Sequence, residues 1–524
     1  MTSKTCGVPM DKTFQDSRRG LPTRLIVLFA ICCSSAVMPL TFTGPAVAIP
    51  AISRTLGGDP VALNWVTNAF MLTFGSTLMA FGALADFFGR KRIYVLGLVA
   101  FTVFSAALAF APNIIVLDCL RALQGLGAAA AFSAGMASLA QEFEGTAQMR
   151  AFSVVGASFG VGLAFGPIAS GAMIDALGWP SIFGLVVALA LLALSIGIPF
   201  LRETRNPDAA GLDWMGAITF TLALTLFTYG VLRGPAIGWS DLTVAGPLIG
   251  SALLMIGFYF VERSTKHPML DLTLFRYPRF VGVQLLAAAP AYAFVVLLVL
   301  LPVRFVGIEG MNEIAAGQLM MALSGPLLVL PIAAGVLTRW LAPATVCSGG
   351  LLVSAAGLFW LSQTPVGSSP SVLTIPLLMI GVGISLPWGL MDGLAVSVVP
   401  KERAGMATGI FSTTRVAGEG VALAIVTAVL SALTKSHLPS ALGPSSAEIA
   451  QRLVTGDLAG AQTLVPPGTS IGLVLDYSDA FSSLLWILTV ITLITATVVL
   501  VSLRNVTSDP DNALGEEDVE ISSI

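Results

Sequence analysis

Residues 82–92 read Gly82-Ala83-Leu84-Ala85-Asp86-Phe87-Phe88-Gly89-Arg90-Lys91-Arg92, and they lie between two apolar stretches at 62–85 and 93–111. Gly89 allows a tight turn that a larger residue would strain. Asp86 carries a charge that the N-terminus of a neighbouring helix favours and hydrogen-bonds. The three cations that end the stretch are attracted to an anionic inner membrane surface. An ordinary basic loop would explain these cations but not the spaced glycines and aspartate.

The composition outside this stretch is that of a polytopic membrane protein. Hydrophobic residues make up 56% of the 524 residues and charged residues only 10%, against about 25% charged residues in soluble domains. A membrane helix needs roughly 20 apolar residues. The apolar stretches therefore predict fourteen spans, at 25–46, 62–85, 93–111, 113–138, 152–176, 181–201, 213–233, 242–262, 280–304, 316–338, 345–362, 372–395, 405–433 and 479–503.

The distribution of lysine and arginine predicts the orientation of these spans. With the N-terminus in the cytoplasm, nineteen of the 26 Lys and Arg residues lie on the cytoplasmic side, as the positive-inside rule requires. The predicted outer loops hold five, namely Arg54, Arg233, Arg304, Lys435 and Arg452, and two lie within spans. We therefore expect a protein integral to the plasma membrane, in a bacterium the cytoplasmic (inner) membrane, with both termini cytoplasmic.

Two further motifs lie within the predicted spans. Span 4 carries Arg121-Ala122-Leu123-Gln124-Gly125, and span 5 carries glycines and a proline at Gly162, Gly166, Pro167 and Gly171. Together with residues 82–92, they resemble motifs of the major facilitator superfamily, and the fourteen spans resemble its drug:proton antiporter branch. The resemblance implies conformational gating at the signature loop and an antiporter motif in span 5.

The resemblance also implies the fold, an all-α integral membrane protein with two six-helix bundles plus two inserted helices. The stretch Gly335-Val336-Leu337-Thr338-Arg339 is an imperfect repeat of the signature loop, with Arg339 at the position that matches Asp86. This repeat supports a chain built from two related halves. The predicted parts are a cytoplasmic N-terminal tail (1–24), an N-terminal bundle (25–201), two inserted helices with their loops (202–279), a C-terminal bundle (280–503) and a cytoplasmic acidic tail (504–524). The C-terminal bundle includes a long outer loop at 434–478, in which Ala447 to Leu458 is compatible with a short surface helix.

The proton-coupling site does not follow the resemblance. Many members of that branch carry an aspartate in span 1 where this chain has Thr41. Asp118 precedes Arg121 by three residues, so the two side chains share a helix face and can pair. Glu419 follows Arg415 by four residues in span 13. Ionisable residues inside spans are costly and mark functional sites by default.

Asp118 and Glu419 are thus proton-coupling candidates with Arg121 and Arg415, and the alternative is that each carboxylate forms a structural ion pair with its arginine. Asp392, near the inner end of span 12, is a further candidate that can simply reach water. The sequence does not identify the substrate-binding residues.

The predicted function is secondary transport, namely proton-coupled export of lipophilic or amphipathic small molecules such as drugs. Alternatives are a dedicated exporter of one metabolite, such as a siderophore or a self-made antibiotic, and, less favoured, a membrane-embedded enzyme or an uptake facilitator. No phosphate-binding Gly-x-x-x-x-Gly-Lys-[Ser/Thr] loop occurs, and we expect no cofactor, no metal and no enzymatic activity. We expect a monomer whose partners are the substrate, protons and lipid, with a periplasmic adaptor if the cell is Gram-negative and with no nucleic acid.

Overall fold

A computed structural model describes residues 21–143, 145–205, 213–265, 270, 272–399, 404–443, 445–465 and 470–504. Within these residues, fourteen helices are long and apolar enough to cross a membrane, which confirms the predicted architecture. Spans 1 to 14 are Leu21–Leu56, Pro60–Phe88, Arg90–Leu108, Ile114–Glu142, Val154–Leu177, Ser181–Phe200, Trp214–Ile237, Leu242–Ser264, Pro278–Ile308, Glu313–Leu337, Pro343–Ser362, Pro370–Ala395, Ile410–His437 and Gly472–Ser502. Most of each predicted tail lies outside the described residues.

The helix ends follow capping side chains rather than the limits of the apolar stretches. Asp59 accepts a hydrogen bond from the Ala62 N–H at 2.7 Å and starts span 2, and Asn113 accepts one from the Val116 N–H at 2.9 Å and starts span 4. Span 1 extends ten residues beyond its predicted end because the helix continues through its prolines. Transmembrane helices tolerate such prolines, because neighbouring helices and Ser or Thr side chains can satisfy the backbone groups that a proline leaves free.

Spans 1–6 pack into one bundle and spans 9–14 into a second bundle. Spans 7 and 8 pack against each other, and span 7 also contacts spans 2 and 13. The two bundles meet where span 2 packs on span 13 and span 5 packs on span 10. A Cβ added at Gly75 of span 2 would lie 2.5 Å from the Ala417 Cα of span 13. The two helices therefore approach more closely there than a larger residue at position 75 would allow.

Because the number of spans is even, Leu21 and Ser502 lie on one side of the membrane, here named the terminal side. The opposite side, here named the loop side, carries the connection between spans 13 and 14. This connection is shorter than the predicted 434–478, because the helix of span 13 runs to His437 and that of span 14 begins at Ser470. His437 therefore ends a helix instead of lying in the predicted outer loop.

The surface helix in this connection is Ser445–Val454, so it begins and ends earlier than the predicted Ala447 to Leu458. It ends there because Gly456 turns the chain with a φ of 79°, and Asp457 then caps a second short helix, Leu458–Gln462. The helix Ser445–Val454 packs on spans 13, 7 and 2, and thus bridges the two bundles on the loop side.

Candidate transport site and gating loop

The signature loop joins span 2 to span 3 through Gly89, whose φ of 114° confirms the expected need for glycine. Asp86 accepts a hydrogen bond at 2.8 Å from the Nε of Arg90, the first residue of span 3. The donor therefore belongs to the N-terminal residue of the neighbouring helix, and it is the side chain of that residue. The Arg90 backbone N–H donates to the Thr204 carbonyl at 2.9 Å, and Arg92 lies 3.5 Å from the Glu203 carboxylate.

The loop therefore ties spans 2 and 3 to the segment that follows span 6. Lys91 is partly buried, and a Cβ added at Gly82 would be in ordinary contact with Ser133 of span 4. A role for this loop in gating stays a prediction.

Arg121 is fully buried and links span 4 to span 2. Its Nε donates to the Val66 carbonyl at 2.6 Å, its Nη1 donates to the Gln124 amide oxygen at 2.6 Å, and its Cζ lies 4.7 Å from the Phe70 ring centroid. The Gln124 amide nitrogen in turn donates to the Ser105 hydroxyl of span 3 at 2.7 Å. Desolvation of the guanidinium is thus offset by charge-assisted hydrogen bonds and the aromatic face. Gly125, next in this motif, lies against the backbone of span 2.

Asp118 does not pair with Arg121. Within the described residues, no ion pair or hydrogen bond joins the two side chains, and the Asp118 Oδ1 is buried without a hydrogen-bond donor. The structural ion pair that the sequence suggested here is therefore absent. Thr41 is buried as well, and its hydroxyl donates at 2.7 Å to the Val37 carbonyl of its own helix.

Arg415 pairs with Asp392 rather than with Glu419. The Arg415 Nη1 lies 3.3 Å from the Asp392 carboxylate, whose side chain is 60% exposed. Glu419 is only 4% exposed. In the described part of the chain, no hydrogen bond or ion pair to its carboxyl group is present. The structure thus separates the three candidates into one exposed ion pair and one buried, unpaired carboxyl group.

Aromatic side chains connect the two bundles in a continuous series, here named the aromatic line. It runs from Phe70 through Phe74, Phe132, Phe159 and Trp388 to Phe294, with ring centroids between 5.6 and 6.5 Å apart. The Arg121 Cζ lies 4.7 Å from the Phe70 centroid at one end of the line, and the Arg415 Cζ lies 5.8 Å from the centroid of Trp388, the last ring but one at the other end. Sequence reasoning missed this feature because helix rotation decides which aromatic side chains face one another.

The motif in span 5 forms a contact surface. A Cβ at Gly162 would overlap the Ala36 carbonyl oxygen of span 1, and one at Gly166 would overlap the Thr43 hydroxyl. A Cβ at Gly171 would lie 2.5 Å from the Glu313 carbonyl oxygen of span 10.

Pro167 belongs to the same surface, because its carbonyl oxygen faces Gly317 of span 10. Glycine is thus required where span 5 touches span 1 of its own bundle and where it touches span 10 of the other bundle.

A buried ion pair at the loop-side end of span 9 was missed from the sequence, which placed Arg304 in an outer loop. Arg304 lies in a π-helical turn, Val303–Ile308, and its Nε donates to the Glu309 carboxylate at 2.8 Å. The two side chains are 2% and 4% exposed, and the Arg304 Cζ lies 4.8 Å from the Phe481 centroid. Residues five apart share a face in a π turn. The five-residue spacing between Arg304 and Glu309 was therefore the feature of the sequence that could have indicated this ion pair.

Comparison with known proteins gives the class to which this arrangement belongs. The sequence model of the Major Facilitator Superfamily matches residues 30–423, so the chain belongs to this family of membrane transporters. The chain is 30% identical over 438 residues to the multidrug resistance protein Stp of Mycobacterium tuberculosis, covering 83% of this chain and 81% of that protein.

Other relatives carry names of antibiotic export or resistance. The chain is 26% identical to the tetracenomycin C resistance and export protein of Streptomyces glaucescens, covering 76% of this chain and 74% of the relative. It is 30% identical to the puromycin resistance protein pur8 of Streptomyces alboniger, covering 80% and 84%.

A solved structure agrees with the fold. The bacterial homologue of the human lysosomal transporter Spinster, in its inward-facing and unoccupied conformation, superposes with a TM-score of 0.65 at 16% identity, covering 93% of this chain and 98% of that chain.

Proposed function

We propose that this protein exports lipophilic or amphipathic small molecules, such as drugs, in exchange for protons. The observation that carries the proposal is the buried, unpaired carboxyl group of Glu419 in a span that also carries Arg415 beside the aromatic line. Aromatic faces bind apolar and cationic compounds without strict shape requirements. A buried carboxyl group inside a membrane protein is a typical proton relay.

Glu419 is the leading proton site because its carboxyl group is free to exchange a proton. Asp392 pairs with Arg415 and its side chain is 60% exposed, so it is a weaker candidate than a buried, unpaired carboxyl group. Asp118 has one unpartnered buried oxygen and is the second candidate. Alternating access would expose Glu419 first to one side and then to the other.

The proposed direction of transport combines the orientation of the spans with the names of the relatives. We propose that the terminal side is cytoplasmic, in accord with the positive-inside count, and that substrate leaves on the loop side. The names of the relatives, which include resistance and export proteins, support export over uptake and transport over catalysis. The signature loop, on the terminal side, would then gate entry.

A dedicated exporter of a single metabolite is the second candidate. Two relatives are named for single compounds, tetracenomycin C and puromycin, which favours this alternative. A panel of structurally unrelated compounds separates the two functions: a broad exporter lowers the accumulation of many of them, and a dedicated exporter lowers that of one chemical class.

The test compares accumulation of a fluorescent cation such as ethidium in cells with and without the gene. We expect lower accumulation with the gene, and loss of this difference when a protonophore collapses the proton gradient. A difference that survives the protonophore would refute proton coupling. Glu419→Gln and Asp118→Asn test the proton site. Asp392→Asn is the control, because it makes the same acid-to-amide change in the exposed ion pair with Arg415. Full activity of both Glu419→Gln and Asp118→Asn would refute the assignment.

A further inference from the structure

The helix Ser445–Val454, here named the strap helix, lies on the loop side with an apolar face turned inward. Ile449 and Leu453 are fully buried on that face. The opposite face is charged, and Arg452 pairs there with Glu448, one turn earlier, at 2.9 Å. A short amphipathic helix is held in place by the contacts of its buried face rather than by its own propensity, so those contacts decide what the strap helix does.

The strap helix is joined covalently to the C-terminal bundle alone. The chain enters it from span 13, whose helix ends at His437, and continues from it to span 14, whose helix begins at Ser470. The turn after the strap helix also touches span 9 backbone to backbone, because a Cβ added at Gly307 would lie 2.5 Å from the Gly456 Cα. We therefore expect the strap helix to move together with the C-terminal bundle.

A small polar cavity lies beneath the strap helix, where the helix meets spans 2, 7 and 13. Its volume is about 10 Å³, which is close to the space that one water molecule needs. Asn64 of span 2, Ser431 of span 13 and Gln451 of the strap helix contribute polar side chains to its wall. In the described part of the chain, the buried Ser431 hydroxyl has no hydrogen-bond partner. A water molecule in the cavity can join this hydroxyl to the two amide side chains.

The strap helix thus covers the seam between span 2 and span 13 at its loop-side end. In alternating access the two bundles rock against each other, so the seam opens on one side of the membrane at a time. The strap helix cannot keep its contacts with both spans when the loop side opens. Its attachment to span 13 is covalent, whereas its contact with span 2 includes polar groups that water can satisfy at little net cost.

We propose that the strap helix is a loop-side latch, which moves with the C-terminal bundle, rests on span 2 while the loop side is closed, and releases span 2 each time the loop side opens. The inference goes beyond the proposed export function, because it concerns the movement of the bundles and holds for any substrate. A link between the strap helix and span 2 should block transport, and a link between the strap helix and span 13 should not.

Two cysteine pairs across the same cavity make this test. Gln451→Cys with Asn64→Cys links the strap helix to span 2, and Gln451→Cys with Ser431→Cys is the matched control that links it to span 13. Each full-length variant is reconstituted in liposomes, cross-linked with a short bifunctional thiosulfonate reagent and then reduced with dithiothreitol. Ethidium transport driven by a proton gradient is measured at each stage, and the wild type, which keeps its own cysteines, receives the same treatment.

We expect cross-linking of the first pair to reduce ethidium transport to that of empty liposomes, and reduction to restore it. The control pair should transport ethidium at the same rate before and after cross-linking. Undiminished transport by the cross-linked first pair would overturn the inference, and an equal loss in both pairs would do so too, because a latch depends on which bundle is linked. Failure of the first pair to cross-link would contradict the position of the strap helix over span 2 and would also overturn it.

A second measurement does not depend on any substrate. Leu453→Asp places a charge on the buried face of the strap helix, so it should release the helix and speed the labelling of Asn64→Cys by a maleimide in detergent micelles. Glu448→Gln, on the exposed face, is the control and should leave the labelling rate unchanged. A labelling rate that Leu453→Asp does not raise would overturn the inference. If the wild type moves no ethidium while Leu453→Asp speeds labelling, the proposed function fails and the latch is supported.

Discussion

The ion pair between Arg304 and Glu309 gives the sharpest energetic prediction. The two groups are 2.8 Å apart and their side chains are 2% and 4% exposed, so water screens neither charge. Removing one partner of such a pair leaves an uncompensated buried charge and typically costs about 3–5 kcal/mol. We therefore expect Glu309→Gln, which keeps the shape of the side chain, to lower the free energy of unfolding by about that amount.

Replacing both partners tests whether the cost comes from the orphaned charge. Arg304→Met combined with Glu309→Gln removes both charges, and we expect it to recover most of the stability because buried pairs contribute little net free energy. The assay is unfolding in mixed detergent micelles, followed by circular dichroism. Glu448→Gln is the control, since its pair with Arg452 is exposed and contributes about 0–1 kcal/mol. A Glu309→Gln variant as stable as this control would refute the reasoning.

Three further substitutions test the contacts around the site. Gly162→Ala should reduce the yield of folded protein and the transport rate, because a Cβ there overlaps a carbonyl oxygen of span 1. Gly156→Ala is the control, because the space around Gly156 is open and the substitution should be tolerated or slightly stabilising. Equal yields of the two variants in fluorescence-detected chromatography would contradict this prediction. Gly89→Ala should abolish most transport, because the backbone φ of 114° at this position strains any other residue and an added Cβ would meet the Glu203 carboxylate that follows span 6. A normal transport rate of this variant would exclude a strained turn. Asp392→Asn should change the free energy of unfolding by less than about 1 kcal/mol, because the Asp392 side chain is 60% exposed in its pair with Arg415. A larger loss of stability in thermal unfolding would contradict the interpretation of this contact as an exposed ion pair.

The sequence predicted the fold well because the membrane simplifies the problem. Apolar stretches must become helices in a bilayer, and their number is visible in hydropathy. The ends were less accurate. Span 1 continues through Pro50 to Leu56, and span 13 reaches His437, because caps and packing rather than hydropathy end a helix.

The site was predicted less completely, because contacts between helices depend on rotation and tilt. The sequence singled out Arg121 as an ionisable residue within a span and offered Asp118 as a partner, whereas the structure supplies the Val66 carbonyl and Gln124. Arg304 was assigned to a loop because its span was ended at that residue.

The central claim is that substrate export is coupled to proton movement through Glu419. The most direct measurement reconstitutes the protein in liposomes that contain a pH-sensitive dye and follows the internal pH when ethidium is added. The account predicts that substrate movement in one direction drives protons in the other, and that Glu419→Gln abolishes this proton movement. Substrate transport by the wild type without any proton movement, or unchanged proton movement in Glu419→Gln, would contradict it.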